Sequence, residues 1–190
     1  MSDSGPARAR ERALRFALVA ALLVLDLWSK AGVFAAIEGA TDLVRDSHGH
    51  LRWHVLGEDV GWFTFMRSEN AGAAFGRFAS MPHLLVGGRV VAVLFLGFLV
   101  WRAPRDRRWF AAALVLVLAG ALGNLYENLV LEAPEDHPYG LVRDFIDVYF
   151  GVWDWHFPTF NVADSCITVG AAILLLSGFF GEESGDEAPA

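Results

Sequence analysis

The chain has 190 residues, of which 55% are hydrophobic, and its formal net charge is −7. A mean hydropathy of +0.40 is too high for an ordinary soluble domain of this length, so a membrane protein is expected. The acidic residues lie in loops and at the C-terminal end while the arginines cluster elsewhere, which does not fit the basic surface of a nucleic-acid-binding protein.

Four apolar stretches approach the roughly 20 residues that a helix needs to cross the hydrocarbon core of a bilayer. The sequence predicts transmembrane helices at about residues 13–37, 84–101, 109–126 and 161–180. Together they form one integral membrane domain that covers residues 1–190. The expected fold class is an all-α membrane protein with four transmembrane helices and a small β-structure outside the membrane.

The first apolar stretch contains polar residues that help to decide whether it is a cleaved signal peptide or an uncleaved span. A basic start, an apolar middle and small residues near Ala35 also occur in cleaved signal peptides, but Asp26 and Lys30 interrupt the run, which favours an uncleaved span. Asp26, Ser29 and Lys30 share one helix face because they are spaced at i, i+3 and i+4. They form either a self-neutralising structural pair or a Ser–Lys catalytic dyad, and Asp26 disfavours the neutral lysine that such a dyad needs.

Two extended segments are predicted between the spans. The runs 53–56 and 60–66 flank Gly57, Glu58 and Asp59, which predicts a β-hairpin. Residues 144–150 alternate with the period of a strand. We expect both pieces to join a small sheet that rests on the outer membrane surface.

Arginine placement predicts the topology. Arginines cluster before the first span and between the second and third, at Arg8, Arg10, Arg12, Arg15, Arg102, Arg105, Arg107 and Arg108. Because positively charged loops stay in the cytoplasm, both clusters and both chain ends are expected there. Residues 38–83 and 127–160 are then outside, and the acidic residues 181–190 are expected to form a disordered cytoplasmic tail.

Two further polar faces repeat the helical spacing of the first span. They lie near the outer ends of the third and fourth spans, at Asn124, Glu127 and Asn128 and at Asn161, Asp164 and Ser165. An ionisable group at mid-bilayer costs about 2.5 to 3.5 kcal/mol, so such groups need partners or a role. We expect the three faces to meet in one pocket. The alternative for Asn161 or Asp164 is N-capping of the fourth helix.

Outer-face carboxylates are the candidates for acid–base chemistry. Loop acids are usually only solvated, as we expect of Asp154. Asp144 differs because it begins an aromatic, β-forming segment close to the membrane, where we expect it to meet Asp164. Two neighbouring carboxylates in a partly desolvated site share a proton and supply an acid and a base together. That is the chemistry of water-mediated peptide hydrolysis.

Metal-dependent and thiol chemistry have less support. His48 and His50 form a His-x-His pair, but no nearby Cys or Glu-x-x-His motif completes a metal site, so no metal and no cofactor are expected. Cys166 has no neighbouring base and is expected to pack between helices. Two other classes stay open. A proton-coupled carrier with Asp26 and Lys30 in its relay would spread acids through the membrane depth, and a scaffold subunit would need no aligned polar faces.

The sequence resembles the signal peptidase II family, also called prolipoprotein signal peptidases, through five segments in the family's order. The family patterns are D-x-x-S/T-K, N-x-G-A-A-F, G-G-A-L-G-N-L, V-V-D-F-I-D and F-N-x-A-D-S. The corresponding segments are residues 26–30 (DLWSK), 70–75 (NAGAAF), 120–125 (GALGNL), 142–147 (VRDFID) and 160–165 (FNVADS). Each match alone is weak, but five in order are specific.

The resemblance implies a four-helix bundle with a small extracytoplasmic β-cradle, and a catalytic aspartic dyad at Asp144 and Asp164. It also implies the binding residues Asn70, Asn124, Asn161, Asp26 and Lys30. The implied enzyme is a membrane aspartic endopeptidase of the bacterial cytoplasmic (inner) membrane that cleaves prolipoproteins before a diacylglyceryl-modified cysteine. The implied partners are lipid-modified prolipoproteins and membrane lipid, without nucleic acid, and a monomer is expected.

Two departures from the family pattern affect details of the site. The run G-N-L-x-D-R continues here with Glu127 and Asn128, so the acid is longer and the arginine is absent. An insertion-like segment, 132–138, precedes the dyad segment. Arg143, next to Asp144, is a candidate to replace the missing arginine contact.

Overall fold

The structure is a computed structural model that describes residues 5–41, 43–45, 50–57, 61–72 and 78–180, with side chains to residue 177. Within these ranges the chain forms four helices and five short strands. The helices are α1 (Pro6–Gly39), α2 (Pro82–Arg102), α3 (Arg108–Val130) and α4 (Val162–Phe180), and the strands are β1 (Val44–Arg45), β2 (Leu51–Trp53), β3 (Phe63–Asn70), β4 (Val142–Phe150) and β5 (Trp155–His156).

Each of the four predicted spans coincides with a helix. In the described part of the chain, α1, α2 and α3 are long and apolar enough to cross a membrane, whereas the apolar stretch found in α4, Val162–Ser177, is shorter. Proline begins both α1 and α2, where its fixed φ suits a first helical turn and its missing N–H costs nothing. Pro104 follows α2 closely, at a position where a helix cannot easily continue.

Helix α3 lies at the centre of the bundle. It contacts each of the other three helices, and it contains more buried residues than α1 or α2. Val19 from α1 and Val100 from α2 pack with Leu114 and Leu118 of α3 in the main apolar core. The outward faces of α1 and α2 expose large apolar side chains instead, as expected of helices that contact lipid.

Both arginine clusters lie at the same end of the bundle. Arg15 is buried and donates hydrogen bonds to the carbonyl oxygens of Ala103 (2.8 Å) and Pro104 (3.1 Å) just after α2. These carbonyls have no helical partner of their own, so a cation there is favourable. Arg105 pairs with Glu11 of α1 at 2.7 Å. The other end of α1 meets the sheet, where Arg67 of β3 lies over the Phe34 ring.

The strands form one antiparallel sheet in the order β1-β2-β3-β4-β5. The predicted hairpin is present as the β2–β3 pair, with Arg52 opposite Met66 and Trp53 opposite Phe65, but its first strand is Leu51–Trp53 and not 53–56. Of its expected turn, Glu58 and Asp59 lie outside the described residues. The predicted strand at 144–150 is confirmed as β4, which begins two residues earlier.

The expected all-α class is therefore wrong in its strict form. The chain combines four helices with a five-stranded antiparallel half-barrel, which is a mixed membrane fold. The helices alone dominate the hydropathy profile, whereas strands as short as β1 and β5 have two residues each and exist only through their pairing with β2 and β4. Such strands leave no periodic signal in the sequence.

Candidate active site

The sheet and the helix ends enclose a cavity of about 1050 Å³. Its walls come from α2, α3, α4, β4 and the segment before α4, and most of its lining is apolar. A small set of polar side chains converges on it: Asn70, Arg89, Asn124, Asp144, Thr159, Asp164, Ser165 and Thr168. An apolar cavity with few convergent polar groups is typical of a ligand or substrate site.

Asp144 reaches the cavity from β4 and is almost fully buried. Asn161 donates to its Oδ1 at 2.6 Å, and Asn70 donates to its Oδ2 at 3.3 Å. Asn70 is in reach because β3 pairs Ser68 with Asp144 and Asn70 with Val142, which sets Asn70 diagonally across from Asp144 on the same face. Burial, reinforced by the charge of Asp164, raises the pKa of Asp144 to about 7.

Asp164 stands in the first turn of α4 and is only partly buried. Its backbone N–H donates to Asn161 Oδ1 at 2.9 Å, and the Asn161 N–H donates back to Asp164 Oδ2 at 3.3 Å. This reciprocal pair is a capping box, so the capping alternative holds. The pocket hypothesis holds as well, because Asn161 also donates to Asp144 and Asn124 donates to Asp164 Oδ1 at 2.9 Å.

A buried charge network lies directly beneath the two aspartates. The Lys30 ammonium is fully buried, 2.8 Å from Asp26 Oδ2 and 3.0 Å from Glu127 Oε2. It also donates to Asn124 Oδ1 at 3.0 Å. With its oxygen held by this cation, Asn124 turns its amide N–H₂ toward Asp164. Asp26 in turn accepts a hydrogen bond from the Ala163 N–H at 2.8 Å, which joins α1 to α4.

The structure settles the two hypotheses for the polar face of the first span. Ser29 donates to the Asp26 backbone carbonyl at 2.8 Å, whereas Lys30 is held between carboxylates. Lys30 is therefore a structural cation and not the neutral partner of a serine nucleophile. Neither Asp26 nor Lys30 lines the cavity. Their burial against α3 and α4 also favours a first span that is retained in the folded protein.

Two arginines near the site have partners that the sequence did not predict. Arg143, the candidate for the missing arginine contact, pairs its Nε with Glu127 Oε1 at 2.6 Å. Arg89 of α2, which belongs to none of the motifs in the sequence, donates to the side chain of Asn128 and lines the cavity. In the sequence Arg89 could have been noticed as the one charged residue in the apolar stretch 84–101.

Other candidates from the sequence lie apart from this site. Asp147, three residues after Asp144 in β4, is buried in the sheet and accepts hydrogen bonds from Arg52 and from Thr64 (2.7 Å). Asp154 is exposed as expected and accepts from the Tyr149 hydroxyl at 2.8 Å. Cys166 is buried in α4 as a packing residue. His48 and the second half of the 70–75 segment, residues 73–75, lie outside the described residues.

The arrangement suits acid–base chemistry at one point of the cavity. Asp144 and Asp164 both line the cavity and interact electrostatically, and each accepts hydrogen bonds from asparagine amides. At neutral pH one carboxyl of such a pair holds a proton while the other is ionised. The pair can therefore donate and accept protons at a bound group without any change in its geometry.

Comparison with known proteins points to one family. A family model described as "Signal peptidase (SPase) II" matches residues 18–180. A lipoprotein signal peptidase of Photorhabdus laumondii is 33% identical over 168 residues, which is 85% of each chain. One from Pseudomonas aeruginosa is 40% identical over 132 residues, or 66% of this chain and 72% of the relative. A solved bacterial membrane enzyme superposes with a TM-score of 0.70 and 20% identity over 94% of each chain, which shows a shared fold.

Proposed function

This chain belongs to the signal peptidase II family, and we propose that Asp144 and Asp164 are the catalytic dyad with which it removes signal peptides from prolipoproteins. It is an aspartic peptidase and a multi-pass bacterial membrane protein. The observation that carries the proposal is the pair of carboxylates on the cavity wall, one of which has its pKa raised to about 7 by burial and by the charge of the other.

The raised pKa assigns different roles to the two acids. Asp144, whose pKa is raised to about 7, is assigned the shared proton, and Asp164, which is less buried, is assigned the role of general base. Asp164 takes a proton from a water molecule as the water attacks the scissile carbonyl carbon. Asp144 donates a hydrogen bond to the developing oxyanion and then its proton to the leaving amine. Asn70, Asn124 and Asn161 hold both carboxyl groups at their oxygens, so little reorganisation is needed.

The lining of the cavity supports a lipid-modified substrate. The helices α2 and α4 supply an apolar wall of the cavity. Its side chains are Leu84, Leu85, Ala92, Ile167 and Val169. Acyl chains on a diacylglyceryl cysteine would remain among these side chains while the peptide bond before that cysteine reaches the dyad. Lys30 would contribute to substrate binding through Asn124, to which it donates a hydrogen bond, and Asp26 would contribute by holding Lys30 in place.

The placement of charge supports the orientation. The arginine clusters and the sheet lie at opposite ends of α1, so the positive-inside rule puts the chain ends in the cytoplasm and the cavity at the outer face of the inner membrane. The proposed unit is a single domain that works as a monomer in contact with membrane lipid.

The test uses purified full-length protein in detergent or liposomes, with a lipid-modified precursor as substrate. Asp144→Asn and Asp164→Asn keep the shape of the side chain but remove the titrating group, so each should lower cleavage by at least about 10²–10⁴-fold. Because the two acids act as a unit, the double variant should be no worse than either single variant. The wild-type pH profile should be bell-shaped, with the alkaline limb near the pKa of Asp144, about 7.

Asp154→Asn is the matched control, because Asp154 is an exposed acid outside the cavity. It should keep near wild-type cleavage. Asp147 is a poorer control, since its carboxylate is buried between Arg52 and Thr64. Wild-type cleavage by either dyad variant would show that the peptide bond is hydrolysed without that carboxylate and would end the proposal.

A further inference from the structure

Arg89 is a charged residue in an otherwise apolar helix. It lies within the first half of α2, and a charge inside a membrane helix is costly enough that its presence calls for a partner or a role. Among the described residues no carboxylate lies within ion-pair distance of Arg89. The guanidinium donates instead to two neutral oxygens, the side-chain oxygen of Asn128 and the backbone carbonyl of Gly72, the latter at 3.1 Å.

These two contacts tie three parts of the chain together at the cavity. Arg89 belongs to α2, Asn128 to the outer end of α3, and Gly72 to the turn after β3. Asn128 in turn contacts the segment before β4, because its amide donates to the Gly140 carbonyl at 2.8 Å, two residues before β4 begins. Arg89 thus links α2 to the ends of β3 and β4, the strands that carry Asn70 and Asp144 into the site.

A short hydrogen-bond chain leads from Arg89 to Asp144. The Gly72 carbonyl accepts from Arg89, and the Gly72 N–H donates to Asn70 Oδ1 at 2.8 Å. With its oxygen engaged, Asn70 presents its N–H₂ group to Asp144 Oδ2 at 3.3 Å. The orientation of this amide, and with it one of the two side-chain donors to Asp144, depends on the position of the turn that Arg89 holds.

The charge of Arg89 faces the same two acids. It lines the cavity together with Asp144 of β4 and Asp164 of α4, and both attract it electrostatically. Lys30 of α1 also acts on Asp144, but Asp26 and Glu127 neutralise that lysine at close range. Arg89 has no carboxylate that close among the described residues. Its positive charge is therefore neutralised less than that of Lys30.

We propose that Arg89 is a positioning residue of the dyad, which clamps the turn that carries Asn70 and keeps a positive charge beside the two carboxyl groups. The family pattern places an arginine where this chain has Asn128, and Arg89 brings a guanidinium to that same side chain from another helix. The chain thereby keeps a cation at the cavity despite the substitution at position 128. This inference rests on the proposed dyad and assigns it a further residue.

The experiment compares Arg89→Gln, Arg89→Lys and Arg67→Gln with the wild-type protein and with Asp144→Asn. Steady-state cleavage of the lipid-modified precursor is measured across the pH range, and thermal unfolding is followed on the same samples. Arg67 is the matched control because it is an exposed arginine that pairs with Glu38 and Glu69, away from the cavity. Arg67→Gln should match the wild type in kcat, KM and pH profile.

Arg89→Gln should lower kcat about tenfold to one-hundredfold, as expected for the loss of charge-assisted hydrogen bonds, with a smaller change in KM. Because a positive charge stabilises ionised carboxyl groups, its loss should also move both limbs of the pH profile to higher pH. Arg89→Lys keeps the charge but not the two-pronged donor, so its limbs should stay near the wild-type position while its kcat stays reduced.

Three results would overturn the inference, and they are distinguishable from failure of the dyad itself. The first is an inactive Asp144→Asn with wild-type kcat and pH limbs in Arg89→Gln. The second is a loss of activity in Arg89→Gln that equals the loss of folded protein and leaves both limbs of the pH profile unchanged. That result would give Arg89 a purely structural role. The third is a shift of the limbs in Arg89→Lys as large as in Arg89→Gln. An active Asp144→Asn would instead refute the proposed dyad.

Discussion

Removal of the buried cation at the centre of the bundle tests how the site is supported. Lys30 and Arg143 supply two positive charges, and Asp26 and Glu127 supply two negative ones, so the network is neutral. Lys30→Met keeps the length and much of the volume of the side chain but leaves one carboxylate without a counter-ion. It also removes the donor that fixes the oxygen of Asn124.

The magnitude follows from burial. Lys30, Glu127 and Asp26 are each at most 1% exposed, so water cannot replace the lost partner. Breaking a fully buried pair by removing one member destabilises a protein by about 3–5 kcal/mol. For a chain of this size, about 2–4 °C per kcal/mol gives a fall in Tm of about 6–20 °C. Thermal unfolding of detergent-solubilised protein measures this shift.

A second substitution separates the charge from the hydrogen bond. Lys30→Met with Asp26→Asn restores neutrality, and the carbonyl oxygen of the new amide can still accept from the Ala163 N–H. The double variant should therefore recover part of the lost Tm. Its cleavage activity should stay low, because the Asn124 oxygen loses its 3.0 Å hydrogen bond from Lys30 and keeps only a 3.5 Å one from Asn161, which holds the amide less firmly toward Asp164. A double variant less stable than Lys30→Met alone would refute this account of charge balance.

Two further predictions address the packing and the orientation of the bundle. Gly120→Ala should lower Tm and activity, because a methyl group there would collide with the Ala163 backbone carbonyl of α4. Gly97→Ala is the control and should be neutral or stabilising, because its methyl group would meet no atom within 4 Å. Equal effects of the two substitutions in thermal unfolding would contradict the close α3–α4 contact. Reporter domains fused at either chain end should stay cytoplasmic while fusions near Gly49 or Glu135 reach the outside, and a cytoplasmic signal from Gly49 would contradict the topology.

The local patterns of the sequence were sufficient for the helices and for part of the sheet. A run of about 20 apolar residues predicts a membrane helix wherever its partners lie, and all four predicted spans coincide with helices. Strand β4 was readable for the same reason, since its alternation is a property of neighbouring residues. Asp144 and Asp164 were also identified from the sequence, by polar residues in unusual places and by ordered motifs.

Contacts across long separations were decided only by the tertiary structure. Lys30 meets Asn124 at a separation of 94 residues and Asn70 meets Asp144 at 74, and no local pattern specifies either pair. The same limit explains why the sequence suggested Arg143, and not Arg89, as the replacement for the missing arginine. Proximity in sequence favoured Arg143, but Glu127 holds that side chain, while α2 packs on α3 so that Arg89 faces Asn128. Hydropathy and spacing are local properties, so they were enough to predict which segments form apolar helices and which residues could carry the chemistry. Which polar groups share a site depends on how four helices and a sheet pack, and that is settled by burial and charge pairing between distant parts of the chain.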